Sequence, residues 1–123
     1  STFARTQTGY DKDIVLPNQE LNNKIMKVAE ELKIPVTLAR IHSSDVFYCE
    51  KNVDDYKEIN RKHQCACVDM ESFALFHNAN VLGKKAACLL TISDSFPLGQ
   101  KATAEERQTA FTDMMKVALE TCL

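Results

Sequence analysis

The chain has 123 residues, a mass of 13.9 kDa and a formal net charge of −2, which predicts a single domain over residues 1–123. Hydrophobic residues make up 45% of the chain and charged residues 26%, a composition that excludes a disordered protein. No apolar stretch approaches the ~20 residues that cross a bilayer, and the first residues lack the apolar segment of a signal peptide. With 15 basic and 17 acidic residues, neither nucleic acid nor a membrane is expected as a partner.

The cysteines and histidines predict free thiols and no metal site. An odd number of cysteines, five, without a secretory signal is typical of a reducing cytoplasm. Cys65 and Cys67 are two residues apart, a spacing found in neither C-x-x-C redox motifs nor zinc knuckles. The three histidines show no metal-ligand spacing. Most of the cysteines are therefore expected to be small core residues.

The first half of the chain predicts strands and helices in alternation. A short segment, Phe3–Thr8, is assigned to a strand. Asn18 is the expected N-cap of a helix with apolar residues at helical spacing, which Pro35 stops. Val36–Ile41 is rich in β-branched residues and predicts a strand, and Val53–His63 predicts a short polar helix.

The second half continues the alternation, which predicts an α/β fold class. Ala66–Val68 is assigned to a short buried strand, Met70–Leu82 to a helix, and Ala86–Ile92 to a strand buried on both faces. Thr103 and Glu106 form the pattern of a capping box at the start of the last helix. The expected inward stripe of that helix is Phe111, Met114, Met115, Ala118, Leu119 and Cys122.

A first chemical feature is the segment Val68-Asp69-Met70-Glu71, where a predicted strand ends and a helix begins. Acidic residues in the first turn of a helix are favoured by the helix dipole, so a structural explanation suffices. The functional alternative is a pair of carboxylates at the edge where open α/β sheets bind ligands. A carboxylate there can accept two hydrogen bonds from a sugar diol.

A second feature is Ser93-Asp94, directly after a predicted buried strand. The aspartate either caps a turn or lies at the ligand-binding edge and serves as a general acid. Arg107 is either a solvated charge or the partner of Asp94, since an arginine near a helix start is poorly placed relative to the dipole. Phe47 and Tyr48 either belong to the core or stack on a planar ligand.

Four segments, in order, resemble the bacterial, hexameric type of purine nucleoside phosphorylase. They are Ser44–Tyr48, Val68–Glu71, Ser93–Asp94 and Thr103–Phe111, and the last is the most specific. The resemblance covers about residues 37–123 and is looser before them. It implies part of a three-layer αβα nucleoside phosphorylase-like fold with a mixed central sheet.

The resemblance also implies a reaction. Family members use phosphate as co-substrate, without a cofactor, to cleave purine nucleosides to free base and pentose 1-phosphate. By position, Asp94 resembles the general acid that protonates N7 of the purine, and Arg107 the residue that assists it. Ser93 corresponds to a residue beside the base.

Five further positions correspond to nucleoside contacts in the family. Glu71 resembles the residue that holds the ribose hydroxyls, with Met70 against the sugar. Phe47 and Val68 correspond to residues that pack on the base. Asp69 stands where the family more often has glutamate.

The chain departs from the family in its length, because family members are much longer. Their phosphate site is built from glycines and arginines of an N-terminal half that has no counterpart here. We therefore expect a C-terminal half that is inactive alone, with the N-terminal half or further copies of the chain as partners. The alternatives are a non-catalytic domain that keeps the fold or the nucleoside contacts, and a related nucleoside hydrolase that uses water in place of phosphate.

Overall fold

The computed structural model describes residues 1–47, 55–95 and 97–123, in which five helices and four strands occur. The helices are α1 (Thr2–Thr8), α2 (Gln19–Glu31), α3 (Asp55–His63), α4 (Ser72–Val81) and α5 (Ala104–Cys122). The strands are β1 (Ile41–Ser43), β2 (Cys67–Asp69), β3 (Asp94–Ser95) and β4 (Gln100–Lys101). Two compact units contain them: residues 1–17 with 37–86, and residues 18–36 with 87–123. That the chain forms one domain stays a prediction.

The first unit is built around a parallel pair, β1 and β2. Ile41 lies opposite Cys67, His42 opposite Val68, and Ser43 opposite Asp69. Side chains alternate between the faces of a strand, so His42 and Val68 share one face. The opposite face points toward α4, because the backbone N–H of Phe73 in α4 donates to Ser43 Oγ at 3.3 Å.

The predicted strand at Phe3–Thr8 is wrong, because these residues belong to α1. Ser1 caps the helix by accepting a hydrogen bond from the Ala4 N–H, and Gly9 ends it with φ of +73°. The helix packs on α4 through the fully buried Ala4 and an edge-on contact of Phe3 with His77. Caps at both ends and this packing decide the conformation of a segment too short to show periodicity.

The second unit has a core between α2 and α5. It consists of Ile25, Val28 and Ala29 from α2 and the fully buried Val117 from α5. Both predicted helix starts are confirmed. Asn18 accepts a hydrogen bond from the Leu21 N–H at 2.9 Å. The capping box of α5 is complete, with bonds of 2.8 and 3.1 Å between its two residues.

The strand predicted over Ala86–Ile92 is not present in the described residues, and its burial on both faces is also wrong. Ala87 and Leu89 pack against the core of the second unit, whereas Leu90 and Ile92 are 41% and 61% exposed. A strand requires a neighbour for its backbone hydrogen bonds. The segment therefore has one covered side and one exposed apolar side.

Two other strands differ from their predicted bounds and burial. The strand expected over Val36–Ile41 is β1, which begins only at Ile41, where pairing with β2 begins. The strand expected over Ala66–Val68 is β2, shifted by one residue, and Val68 is 43% exposed rather than buried. In both cases the position of the partner strand sets the bounds, and local sequence does not encode it.

The helices of the second half lie within or close to their predicted bounds, but the inward stripe of α5 is different. Val117 and Thr121 are buried, and Met114 and Ala118 are half-buried. The other members of the predicted stripe are exposed: Phe111, Met115, Leu119 and Cys122. The helix thus has two neighbouring apolar stripes, and the second unit covers one of them. Helix α3 lies inside the predicted Val53–His63, whose first two residues are outside the described residues.

Candidate active site

The segment that links β2 to α4 holds two carboxylates with different surroundings. Asp69 accepts hydrogen bonds from the Ser72 N–H at 2.8 Å, the Ser72 hydroxyl at 2.7 Å and the Glu71 N–H at 3.4 Å. These are the bonds of a helix cap, which satisfy N–H groups that lack partners in the first turn. Asp69 therefore anchors the start of α4, as the structural explanation of this segment requires.

Glu71 is exposed, and its carboxylate has no hydrogen-bonding partner within the described residues. It lies at the N-terminal boundary of α4, a position that favours negative charge. Both oxygens remain able to accept hydrogen bonds from a ligand. Of the two acids, Glu71 is thus the one that can hold a diol.

The exposed face of β1 and β2 presents the side chains predicted to contact a nucleoside. Val68 in β2 and Met70, two residues further along the chain, are 43% and 40% exposed, with the half-buried Asp69 between them. His42 shares this face, beside Val68. Sequence reasoning missed His42, because only the register of the two strands reveals it. Phe47 is exposed, and Tyr48 lies outside the described residues.

In the second unit, a short hairpin and the start of α5 bring Asp94 and Arg107 together. Asp94 is the first residue of β3, and its backbone lies opposite that of Lys101 in the antiparallel strand β4. The Arg107 Nη2 lies 3.2 Å from the Asp94 Oδ1, and the Ser93 hydroxyl donates to the Asp94 Oδ2 at 3.1 Å. The ion pair expected from the sequence is thus present. Its side chains are 36% and 43% exposed, so a ligand can reach them.

Arg107 retains unused hydrogen-bonding capacity. Its Nε is buried and has no acceptor within the described residues. An unpaired buried donor is costly. The Arg107 side chain as a whole is 43% exposed, and a guanidinium has five N–H donors, so its accessible N–H groups could contact a ligand while one of them binds Asp94.

Two arginines and two glycines of the described residues have structural roles. Arg5 binds Asp11 at 2.6 Å, and Arg40 donates to the backbone carbonyl of His63 at 2.7 Å. The three glycines adopt positive φ, and two of them, Gly9 and Gly83, end helices. A phosphate cradle would need consecutive N–H groups turned toward one point.

The surroundings of Cys67 raise the pKa of its thiol. Burial raises the pKa of its thiol, and the neighbouring Asp69 and Cys65 raise it further because they disfavour a second negative charge. Cys65, Cys67 and Cys122 are free thiols. Within the described residues, no three His, Cys, Asp or Glu side chains form a group able to hold a metal ion.

The family assignment rests on a match over nearly the whole chain. The sequence profile of the phosphorylase superfamily matches residues 3–123. This chain belongs to the phosphorylase superfamily. The ion pair of Asp94 and Arg107 is therefore a feature of a phosphorylase superfamily member, and its role stays a prediction. Among the described residues, every helix is too short or too polar to span a bilayer.

Relatives within the superfamily are purine nucleoside phosphorylases of the DeoD type. The one from Bacillus velezensis is 41% identical over 102 residues, which is 83% of this chain and 43% of the relative. The one from Clostridium beijerinckii is 42% identical over 102 residues, or 83% of this chain and 42% of the relative. The chain thus spans less than half the length of the curated relatives it matches. The resemblance to this type of phosphorylase is confirmed.

Solved structures confirm the fold class. The P knowlesi homolog of P falciparum PNP superposes with a TM-score of 0.69 at 29% identity, over 88% of this chain and 43% of that one. A purine nucleoside phosphorylase from Toxoplasma gondii, in complex with immucillin-H, superposes with a TM-score of 0.78 at 19% identity, over 97% of this chain and 49% of that one. The chain therefore has the α/β fold of a nucleoside phosphorylase, in part.

Proposed function

We propose that this chain supplies the nucleoside-binding and proton-donating residues of a purine nucleoside phosphorylase. The observation that carries the proposal is the contact of 3.2 Å between Arg107 and Asp94. The resemblance assigns these two residues a joint role in protonating the base. The relatives from Bacillus velezensis and Clostridium beijerinckii, which are 41% and 42% identical to the chain, are named purine nucleoside phosphorylases. This similarity supports the proposal.

The proposed reaction is an attack of a phosphate oxygen on C1′ of the sugar. The bond from C1′ to the purine breaks, and its electron pair passes into the base. Asp94 donates a proton to N7 of the purine, which neutralises the developing negative charge. In this role Asp94 is the donor of the proton that the base accepts.

Within the proposal, Glu71 holds the ribose or deoxyribose hydroxyl groups and Met70 lies against the sugar. Holding the sugar in one orientation lowers the entropic cost of the attack. Phe47, Val68 and Ser93 bind the base. The capping bonds of Asp69, the shortest of which is 2.7 Å, support a positioning role for this residue in place of a direct contact with the sugar.

Phosphate is the proposed co-substrate, and the reaction needs no cofactor. Because the sequence contains no glycine-rich segment typical of a phosphate-binding loop, we propose that the phosphate-binding residues lie outside the described residues. They would come from the remaining part of the phosphorylase fold or from another copy of the chain. A cytoplasmic location belongs to the same proposal, since free thiols persist in a reducing compartment.

The test combines inosine binding with inosine cleavage by the 123-residue chain. We expect the chain to bind inosine in equilibrium dialysis and to release no hypoxanthine, with or without phosphate. Glu71→Gln should weaken binding by about 10-fold or more, the scale of a lost charge-assisted hydrogen bond. Asp113→Asn is the matched control, because this acid pairs with Lys116 on α5.

Each other outcome would replace the proposal with a different one. Phosphate-dependent release of hypoxanthine would show that the chain contains a phosphate site. Release without phosphate would identify a nucleoside hydrolase. Absence of inosine binding, in a chain that remains folded by circular dichroism, would identify a non-catalytic domain.

A further inference from the structure

Cys65 and Cys67 lie on one side of the strand segment that includes β2. Burial alternates along the segment: residues 65, 67 and 69 are half-buried, and residues 66, 68 and 70 are exposed. Such alternation is typical of extended backbone, in which every second side chain points the same way. The ladder also continues beyond β2, because the Ala66 N–H donates to the Arg40 carbonyl at 2.9 Å. The two thiols therefore point to the same side.

The spacing of the two residues disfavours a disulfide between them. Alternate Cα atoms of a strand lie roughly 6.6 Å apart, close to the upper limit of about 6.8 Å for a disulfide. Their Cβ atoms also run parallel, whereas a disulfide needs them roughly 3.8 Å apart. A metal ion bound at about 2.3 Å from each sulfur spans up to roughly 4.6 Å between the sulfurs. Rotation about χ1 brings parallel cysteines to that distance.

Among the residues that the structure describes, the surroundings of the pair provide two sulfur ligands and no third. Asp69, the next residue on this side, is occupied by its capping bonds to Ser72. Ile41, opposite Cys67, is apolar. Within the described residues no group of three metal ligands exists, so a tetrahedral zinc site is not provided here. Thiolate ligands select soft ions, and Cu(I) is the soft ion among the common biological metals.

We propose that Cys65 and Cys67 form a two-sulfur chelating site for one Cu(I) ion. Two sulfur–copper bonds form, and the two thiol protons are released to solvent. Copper enters and stays in the +1 state, so no oxidant or reductant takes part. The site is independent of the nucleoside chemistry proposed above.

The test is a competition for Cu(I) between the chain and a chromogenic Cu(I) chelator, with ascorbate present. We expect one equivalent bound per chain. Cys65→Ser and Cys67→Ser should each weaken binding by about 100-fold or more, because a chelate is lost. Cys122→Ser and Cys49→Ser, each of which leaves the pair intact, should change the affinity less than about twofold. Circular dichroism of each variant shows whether it is folded.

A second probe keeps the proposal falsifiable if a serine variant fails to fold. Phenylarsine oxide bridges two nearby thiols by forming two arsenic–sulfur bonds and releasing one water, with arsenic remaining trivalent. We expect one such bridge per chain, located between residues 65 and 67 by peptide mass mapping. A bridge elsewhere, no bridge, or Cu(I) binding that the Cys65 and Cys67 variants retain would overturn the proposal.

Discussion

At the scale of single residues, Asp69 and Glu71 have separate tasks although they are two positions apart. Asp69 receives three hydrogen bonds from the first turn of α4, whereas the Glu71 carboxylate has no partner within the described residues. The two acids of one motif thus divide into one that builds the helix start and one that is available to a ligand. From the sequence pattern alone, both acids are equal candidates for binding a ligand.

Asp69→Ala should lower the free energy of unfolding by about 1 to 2 kcal/mol, because the cap of α4 is lost. Asp69→Asn keeps an acceptor oxygen and should cost less. Glu71→Ala should change stability by less than about 0.5 kcal/mol, as substitutions away from such contacts do. Urea unfolding followed by circular dichroism measures all three. Equal losses for the two alanine variants would contradict this division.

Asp94→Asn tests the acid itself. In the shortest form of this protein that cleaves inosine, the variant should lower kcat by roughly 100-fold or more, the scale of general acid catalysis. With a nucleoside already methylated at N7, which needs no proton there, the variant's kcat should fall far less. Asp113→Asn serves as the control. Unchanged kcat on inosine would remove Asp94 from the acid role.

The raised pKa of the Cys67 thiol links stability to alkaline pH. In the unfolded chain the thiol ionises near a pH of about 8.5, whereas the folded chain still holds the proton there. Between the pKa of the thiol in the unfolded chain and its higher pKa in the folded chain, the folded state binds more protons. The free energy of unfolding is therefore highest below the unfolded-state pKa and falls as the pH rises through the folded-state pKa. Urea unfolding at pH 7 and 9.5 should show a larger loss for wild type than for Cys67→Ser. Equal losses would exclude the linkage.

At the scale of elements, α2 and α4 end in the same way with different residues. In each, the two residues after the C-cap donate back to the last turn: Lys33 and Ile34 in α2, and Gly83 and Lys84 in α4. The first donor has positive φ in both cases, +55° for Lys33 and +64° for Gly83. Glycine adopts this conformation without steric cost, whereas lysine does not.

Lys33→Gly should therefore raise the free energy of unfolding by about 0.5 to 1 kcal/mol, after the entropy of glycine is subtracted. Gly83→Ala is the reciprocal control. No atom lies within 4 Å of a Cβ at position 83, so its expected loss of about 1 kcal/mol reflects backbone strain alone. Thermal unfolding checks both signs. A loss in Lys33→Gly would show that the lysine side chain contributes more than the strain costs.

The starts of α2 and α5 could be read from the sequence, whereas the start of α1 and the bounds of the strands could not. The caps at Asn18 and Thr103 rest on bonds across three residues, so a local pattern encodes them. The bounds of β1 and β2 depend on a register between residues about 26 apart, which no local pattern encodes. For the site, the residue pattern and the resemblance both led to Asp94 and Arg107, but only the register of β1 and β2 places His42 beside Val68.

At the scale of the whole molecule, the chain leaves large apolar side chains in water. The most exposed of those described are Leu123, Leu16 and Leu82, at 91%, 72% and 70%, and Leu119 of α5 is 67% exposed. The uncovered stripe of α5 (Phe111, Met115, Leu119 and Cys122) belongs to this surface. Exposed apolar surface of this kind favours association.

We expect the chain to self-associate in sedimentation velocity, with a mean mass that rises with concentration above the 13.9 kDa monomer. Met115→Lys with Leu119→Lys should shift the chain toward monomer, because both side chains lie on the uncovered stripe of α5. Thr112→Lys adds one charge on the same helix, at an exposed polar position, and should shift it less. A monodisperse wild-type monomer would exclude this association.

The core between α2 and α5 joins segments made at different times. Helix α2 is complete about 70 residues before α5 begins, which corresponds to roughly 4 to 15 s at ribosomal speeds. With 13 residues, α2 is too short to be stable alone in water. During translation the apolar face of α2 therefore remains uncovered until Val117 has been made. In that interval chaperones and proteases can bind the nascent chain. Helix α2 is thus stabilised only after α5 has been made.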